Sequence, residues 1–342
     1  MKNKILALLA SVGLVASASA VDVNENLKIQ GFLDFSYDHT EYSDTGSNDD
    51  SDSQSLELDE VEIDFLFNVG DVTGEVHVDD HGTGDGNTNF DIEQAHFTYS
   101  LDNGASFTFG KFGSKLGFER EDPAGLYTYS RAYGDLDNDG VDDIAGTTAD
   151  NNARANSFNL GNVDQNVFHG ISIGYAGDNY SVAASLVNPA GGIQDNLETD
   201  NANLELAIAY TGIENVSIGG GYYFDNQEDN ADEEDILNVY VSTSMGKLFL
   251  AAEYTEIQTE NTAIGDLDGY MLLADYDFND KFGAAFRISS NETDDQNLDF
   301  DMITIAPNYS LTDSLGVILE YNDIDQGTID QNQLAVELTY TF

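Results

Sequence analysis

The sequence predicts an all-β fold: a transmembrane antiparallel β-barrel of about 16 strands, with short turns at one end and long loops at the other. Three observations carry this. Apolar residues recur with a period of two. The connections alternate between tight turns and long acidic loops. No stretch after residue 20 approaches the ~18 apolar residues that a membrane helix needs.

The period of two is plainest at the end of the chain. Leu334, Val336, Leu338, Tyr340 and Phe342 fall on one face, and Gln333, Glu337, Thr339 and Thr341 on the other. Alternation of this kind gives a strand one apolar and one polar face. Leu204-Leu206-Ile208-Tyr210, Leu248-Leu250-Ala252-Tyr254 and Leu315-Val317-Leu319-Tyr321 repeat it. The strands expected on this basis are 26–38, 55–69, 73–80, 90–101, 105–112, 168–176, 180–188, 202–211, 216–225, 236–245, 248–257, 268–278, 282–290, 299–311, 315–323 and 332–342.

Seven of the connections are tight turns, such as Gly70-Asp71-Val72 and Gly246-Lys247, and between them lie longer loops rich in Asp, Asn and Gly. A secreted soluble β-protein is the competing reading, but a sandwich has no reason to alternate so regularly. A membrane barrel does, with periplasmic turns and outer loops. Only a closed barrel places sheet in lipid without unpaired backbone groups.

Residues 1–20 read as an export signal. Lys2 and Lys4 precede an apolar run, and Ala18-Ser19-Ala20 has the small-x-small form of a cleavage site. The expected mature chain is a single barrel domain over 21–342.

Composition narrows the function. The chain has 64 acidic and 11 basic residues, a formal net charge of -53, which argues against nucleic acid as a partner. With no cysteine, disulfides, thiolate metal sites and Cys nucleophiles are excluded. No G-x-S-x-G or H-E-x-x-H occurs, and none of the five His has a Ser two residues away, so an enzyme is not expected.

If the apolar face meets lipid, the alternate residues line the interior. These include Asp34, Glu60, Glu62, Asp64, Glu75, Asp79, Glu205, Glu253, Asp275, Arg287, Glu320 and Glu337. A packed interior could not hold so many carboxylates. Sixteen strands leave a lumen wide enough for water, and its wall charge biases which ions enter. Any one carboxylate taken singly is a solvated charge; the collective field is the functional expectation.

The third loop, about 113–165, is the longest connection. Lys115, Arg120, Arg131 and Arg154 lie in it and Lys111 just before it, so five of the 11 basic residues gather there. Folded inward, Lys111, Lys115, Arg120 and Arg131 would face an acidic wall at a constriction; alternatively they pair with the loop's own acids, Glu119, Glu121 and Asp122. Within the loop, residues 135–143 match the first nine positions of a calcium loop. Asp135, Asp137 and Asp139 stand at positions 1, 3 and 5, Gly140 at the sharp turn, the Val141 carbonyl at 7 and Asp143 at 9. Position 12 is Gly146 instead of the bidentate Glu, so weak Ca²⁺ binding and a merely acidic turn both stand.

Several segments carry a family resemblance. Gln94-Ala95-His96-Phe97-Thr98-Tyr99, Gly110-Lys111-Phe112, Gly117-Phe118-Glu119 and Tyr129-Ser130-Arg131 resemble the porin-2 (OmpL-like) family of outer-membrane porins, over about 90–190. Gly110-Lys111-Phe112 with Gly117-Phe118-Glu119 is similar to phosphate-selective porins as well. The terminal Leu338-Thr339-Tyr340-Thr341-Phe342 is similar to the C-terminal signal of outer-membrane barrels, which implies handling by the barrel-assembly machinery. The expectation is then an integral outer-membrane channel of a Gram-negative-type bacterium, for passive diffusion of ions and small hydrophilic solutes, with a preference for cations. The alternative is a plugged structural or adhesive surface protein with calcium-binding loops. A homotrimer is one admissible assembly. Membrane lipid is the obligatory partner.

Overall fold

The computed structural model describes residues 20–44, 50–81, 91–119, 123–132, 167–188, 202–226, 234–259, 266–293, 299–326 and 329–342. The bulk of the export segment, Arg120 and the calcium-like turn from Asp135 to Asp143 lie outside the described residues.

The strands are β1 (Val21–Asn24), β2 (Leu27–Asp44), β3 (Asp50–Val69), β4 (Val72–His81), β5 (Asp91–Ser100), β6 (Ala105–Gly113), β7 (Val167–Ala176), β8 (Tyr180–Val187), β9 (Asn203–Ile213), β10 (Val216–Phe224), β11 (Glu234–Met245), β12 (Leu248–Thr259), β13 (Leu267–Asp277), β14 (Phe282–Thr293), β15 (Phe300–Ser310), β16 (Leu315–Gln326) and β17 (Ile329–Thr341). From β2 onward each pairs antiparallel with its sequence neighbours, and β17 returns to β2, so 16 strands close on themselves. Closure removes the sheet edges that lipid cannot solvate. β1, which the periodicity did not predict, pairs with β2 through Val21 and Ile29. It sits just past the point where Phe342 and Gly31 exchange backbone hydrogen bonds of 3.0 and 3.1 Å, and so continues the seam beyond the chain end.

The sixteen predicted strands all appear, and the seven tight turns join the pairs foreseen. Asn215 and Gly246 make two of those turns with positive φ, 60° and 67°. The first and last long loops are much shorter than expected. β2 runs on to Asp44 and β3 begins at Asp50, where 39–54 reads as loop; β16 reaches Gln326 and β17 starts at Ile329. Beyond the lipid band, water bathes both faces of a strand, so the apolar alternation stops while the backbone ladder continues.

The outer face carries the apolar alternates, among them Phe97, Ile208, Leu272, Ile303 and Leu319, all exposed. Aromatic rings flank this band in two rows. Near the tight turns stand Tyr175, Tyr180, Tyr210, Tyr276, Phe278, Tyr309 and Tyr340. Near the loops, Tyr222 donates to Asp235 (3.1 Å), Tyr254 to Asp268 (2.6 Å) and Tyr321 to Asn332 (2.6 Å). An apolar body with a hydrogen-bonded tip suits a lipid–water boundary.

Candidate functional site

The barrel interior has two unlike halves. From β7 to β15 many inward positions are small or apolar: Phe168, Ala183, Val187, Ala207, Tyr223, Ile236, Ala251, Met271, Leu273, Ala285 and Ala306 are all buried, with Glu205, Glu253, Asp275 and Arg287 as charged residues among them. On β2 to β5 they are acidic: Asp34, Asp38, Asp59, Glu60, Glu62, Asp64, Asp79 and Glu93 are buried on the inner side. In a ring of sixteen, β3 and β4 lie across from β11 and β12.

The described residues of loop three, 114–119 and 123–132, fold into the lumen against the apolar half. Leu116 joins Phe112, Phe168, Val187, Tyr223 and Ile257 in one apolar cluster, and Phe118, Tyr127 and Ala132 join Ala251, Met271 and Leu273 in another. Tyr127 stacks on Phe249 with centroids 4.9 Å apart. Gly221 makes the approach of Leu116 feasible: a Cβ there would stand 2.5 Å from Leu116 Cδ2 and would also collide with the Leu206 carbonyl.

Wall carboxylates then hold the loop by its backbone. Glu205 accepts from the Ser114 hydroxyl (2.5 Å) and the Lys115 N–H (3.1 Å). Glu253 accepts from the Phe118 N–H (2.7 Å) and from Asn238 (2.9 Å). Glu320 accepts from the N–H groups of Tyr129 (2.8 Å) and Ser130 (3.0 Å). A carboxylate accepting N–H bonds replaces part of the hydration it gave up, at about 1.5–3 kcal/mol per charged hydrogen bond. Arg287, fully buried, completes the attachment. It donates to Glu119, Thr128, the carbonyls of Ser130 and Arg131, and the Ser130 hydroxyl, at 2.7–3.2 Å. The loop also reaches β2, where the Tyr129 and Ser36 hydroxyls lie 3.3 Å apart. Burial pushes the Tyr127 and Tyr129 phenols up, so both remain neutral.

Two β-bulges shape the acidic half. Asp34 pairs with Glu60 but Phe35 with Leu58, so Asp59 is an extra residue. His77 pairs with Gln94 but Val78 with Ile92, so Glu93 is an extra residue. A bulge sets two residues against one. Asp59 therefore joins Glu60 inside, and Glu93 joins Gln94. Ser36 donates to Asp59 (2.9 Å), Gln30 to Asp64 (3.0 Å) and Thr339 to Asp34 (3.1 Å).

The structure places Asp34, Glu60, Glu62, Asp64, Glu75, Asp79, Asp275 and Glu337 on inward positions. Glu205, Glu253, Glu320 and Arg287 are also inward, but they lie under loop three, not on open wall, because each is taken up in fixing the loop. Lys111 departs from its expected constriction role. On β6 it alternates with buried Phe112 and shares the outer face with Phe109, and its ammonium donates to the Ile92 carbonyl at 2.9 Å. Arg131 donates to the Glu119 carbonyl (2.7 Å), and Lys115 to the Gly113 carbonyl (3.0 Å) while standing over the Phe112 ring. The sequence reading missed Asp38, Asp59, His77, Glu93 and His96 as interior groups. Asp38, His77 and His96 follow from plain parity with their strand neighbours; for Asp59 and Glu93 the signal was a slip in phase. Apolar residues fall at 56 and 58 and then at 61, 63, 65 and 67; likewise at 92 and then at 95, 97 and 99.

A closed sixteen-stranded barrel with an apolar belt, a polar interior and an infolded third loop defines an outer-membrane channel. The sequence profile of the Gram-negative porin family matches residues 6–328, and the chain belongs to that family. No curated protein matches the chain by sequence. Among solved structures, it is similar to the outer membrane channel DcaP of Acinetobacter baumannii, with a TM-score of 0.63 at 13% identity over 94% of this chain and 99% of that one. An anion-selective porin from Comamonas acidovorans gives 0.61 at 12% identity, over 92% and 99%. The outer-membrane OmpT of Vibrio cholerae gives 0.57 at 13%, over 95% and 100%. At such identities the likeness is one of fold.

Proposed function

We propose that this porin is a general diffusion channel that prefers cations. The observation behind the reading is the carboxylate arc of β2–β5, which faces the apolar wall that loop three covers. Asp34, Glu60, Glu62 and Asp64, buried along the inner side of the arc, set the field that a cation in the lumen meets, while Arg287 is enclosed by loop contacts. Wall charge of one sign raises the local concentration of the opposite ion.

In this reading residues 1–20 are removed on export, both termini face the periplasm, and the C-terminal strand is handled by the barrel-assembly machinery. The residues from Gln94 to Tyr133 favour the porin-2-like branch of the family. A homotrimer is the proposed assembly, since one OmpT structure of Vibrio cholerae is in a trimer form.

Reversal potentials in planar bilayers under a KCl gradient test the proposal. Cations are expected to be favoured, and the preference to shrink as the Debye length falls from about 10 Å at 0.1 M to about 3 Å at 1 M salt. Asp34→Asn with Glu60→Gln should lower it further. An anion-selective wild-type pore would overturn the reading.

A further inference from the structure

His77 stands within the acidic arc with carboxylates on both sides of its ring. Nδ1 lies 2.9 Å from Glu62 Oε1, 3.3 Å from Asp64 Oδ1 and 3.7 Å from Glu93 Oε2, and Nε2 lies 3.5 Å from Glu75 Oε2. One donor atom each from Glu62, His77 and Glu93 fall within 4.8 Å of one another. The cluster spans three adjacent strands, β3, β4 and β5, and the bulge on β5 is what turns Glu93 inward beside His77.

Acidity alone does not make a site. Here the second observation concerns buried oxygens. The Glu93 side chain is 9% exposed and the Asp64 side chain 8%. Among the described residues Glu93 Oε2 and Asp64 Oδ1 both lack a hydrogen-bond partner, and both aim at the Nδ1 side of the imidazole. Buried oxygens in that condition are costly and call for a positive partner.

We propose that Glu62, His77 Nδ1 and Glu93 bind one divalent first-row transition-metal ion, with Zn²⁺ as the type. Ligands at about 2.0–2.2 Å from one ion stand roughly 3–4 Å apart, so the cluster needs only small side-chain adjustments. Asp64 supplies a further oxygen. Glu75 faces Nε2 as the outer carboxylate that orients a metal-bound histidine. The imidazole selects for zinc-like ions and against Ca²⁺, which takes 6–8 oxygens. The consequence for permeation rests on the channel reading above: an ion held on the arc offsets its negative charge, so bound zinc lowers cation current.

Equilibrium dialysis of the folded, detergent-solubilised barrel against ZnCl₂ is the test, with planar-bilayer currents in the same zinc concentrations. One tight equivalent is expected, unchanged in excess CaCl₂ and unchanged in Asp280→Asn at a distant turn. It should weaken ~10–100-fold or more in His77→Gln and in the isosteric Glu93→Gln, each checked for strand content by far-UV circular dichroism. Wild-type binding that both variants retain, that CaCl₂ displaces, or that is absent would overturn the site and leave His77 as a buried partner of the carboxylates. Because dialysis needs no current, tight binding by a barrel that never conducts would support the site and sink the channel reading instead.

Discussion

Arg287 on β14 and Glu119 in loop three, 168 residues apart, form the ion pair among the bonds that hold the loop to the wall. One guanidinium nitrogen lies 3.1 and 3.2 Å from the two carboxylate oxygens. The Glu119 carboxylate also accepts from the Ala132 N–H at 2.7 Å, so the pair ties together both described limbs of the loop. Removing one partner of a buried pair strands the other, at about 3–5 kcal/mol. Arg287→Ala is expected to lower thermal stability in detergent and to give larger, noisier single-channel currents. Unchanged conductance would mean that the loop keeps its place without this bond.

Glu320→Ala frees two loop N–H groups and removes a partner of Asn322, which donates to Glu320 at 2.8 Å. Each unsatisfied buried group costs about 1–3 kcal/mol. The expected result is faster limited proteolysis within loop three, with the strand signal of the barrel retained. A cleavage rate equal to wild type would show that Glu205, Glu253 and Arg287 suffice.

Gly221→Val inserts bulk where Leu116 and the Leu206 carbonyl already lie. Overpacking of this kind costs about 1–3 kcal/mol. Displacement of Leu116 should loosen the start of loop three and expose Phe112 and Phe168, read as slower folding into the heat-resistant form and a lower melting temperature. Val in place of Gly219, also inward on β10, gives the comparison; there the clash is with the Tyr240 ring instead.

The turn around Asp135, Asp137 and Asp139 is proposed to bind Ca²⁺ weakly, in the ~10⁻⁴–10⁻³ M range of extracellular modules. Calorimetry on wild type beside Asp137→Ala/Asp139→Ala checks it. Identical titrations would leave only an acidic turn.

The strands and turns were legible because lipid on one side and water on the other impose a strict period of two. The large apolar residues from Leu204 to Tyr210 and from Leu334 to Phe342 show it, with only small or polar residues between them. The extensions from His39 to Asp44 and from Asp50 to Gln54 were not legible, since a strand wet on both faces needs no alternation. Inward carboxylates were readable from parity, but their division of labour was not. Glu62 and Glu253 have the same local pattern, and only the path of loop three makes Glu253 a backbone acceptor. His77 gains its meaning from Glu93, which reaches it through a bulge. Lys111 was misread because its position near the loop was weighed above its parity with Phe107 and Phe109.

The seam between β2 and β17 sets the order of events in folding. It joins residues as distant as Asp34 and Thr339, 305 positions apart, whereas every other ladder of the ring links strands consecutive in sequence. Hairpins can therefore form early and in any order, but the cylinder cannot shut until the 13 residues of β17 are in place. Contacts of such long range are slow to form, and until they do the chain carries two bare strand edges, each a template for pairing with another molecule. Loss of β17 should thus yield aggregation-prone open sheet, not a smaller pore.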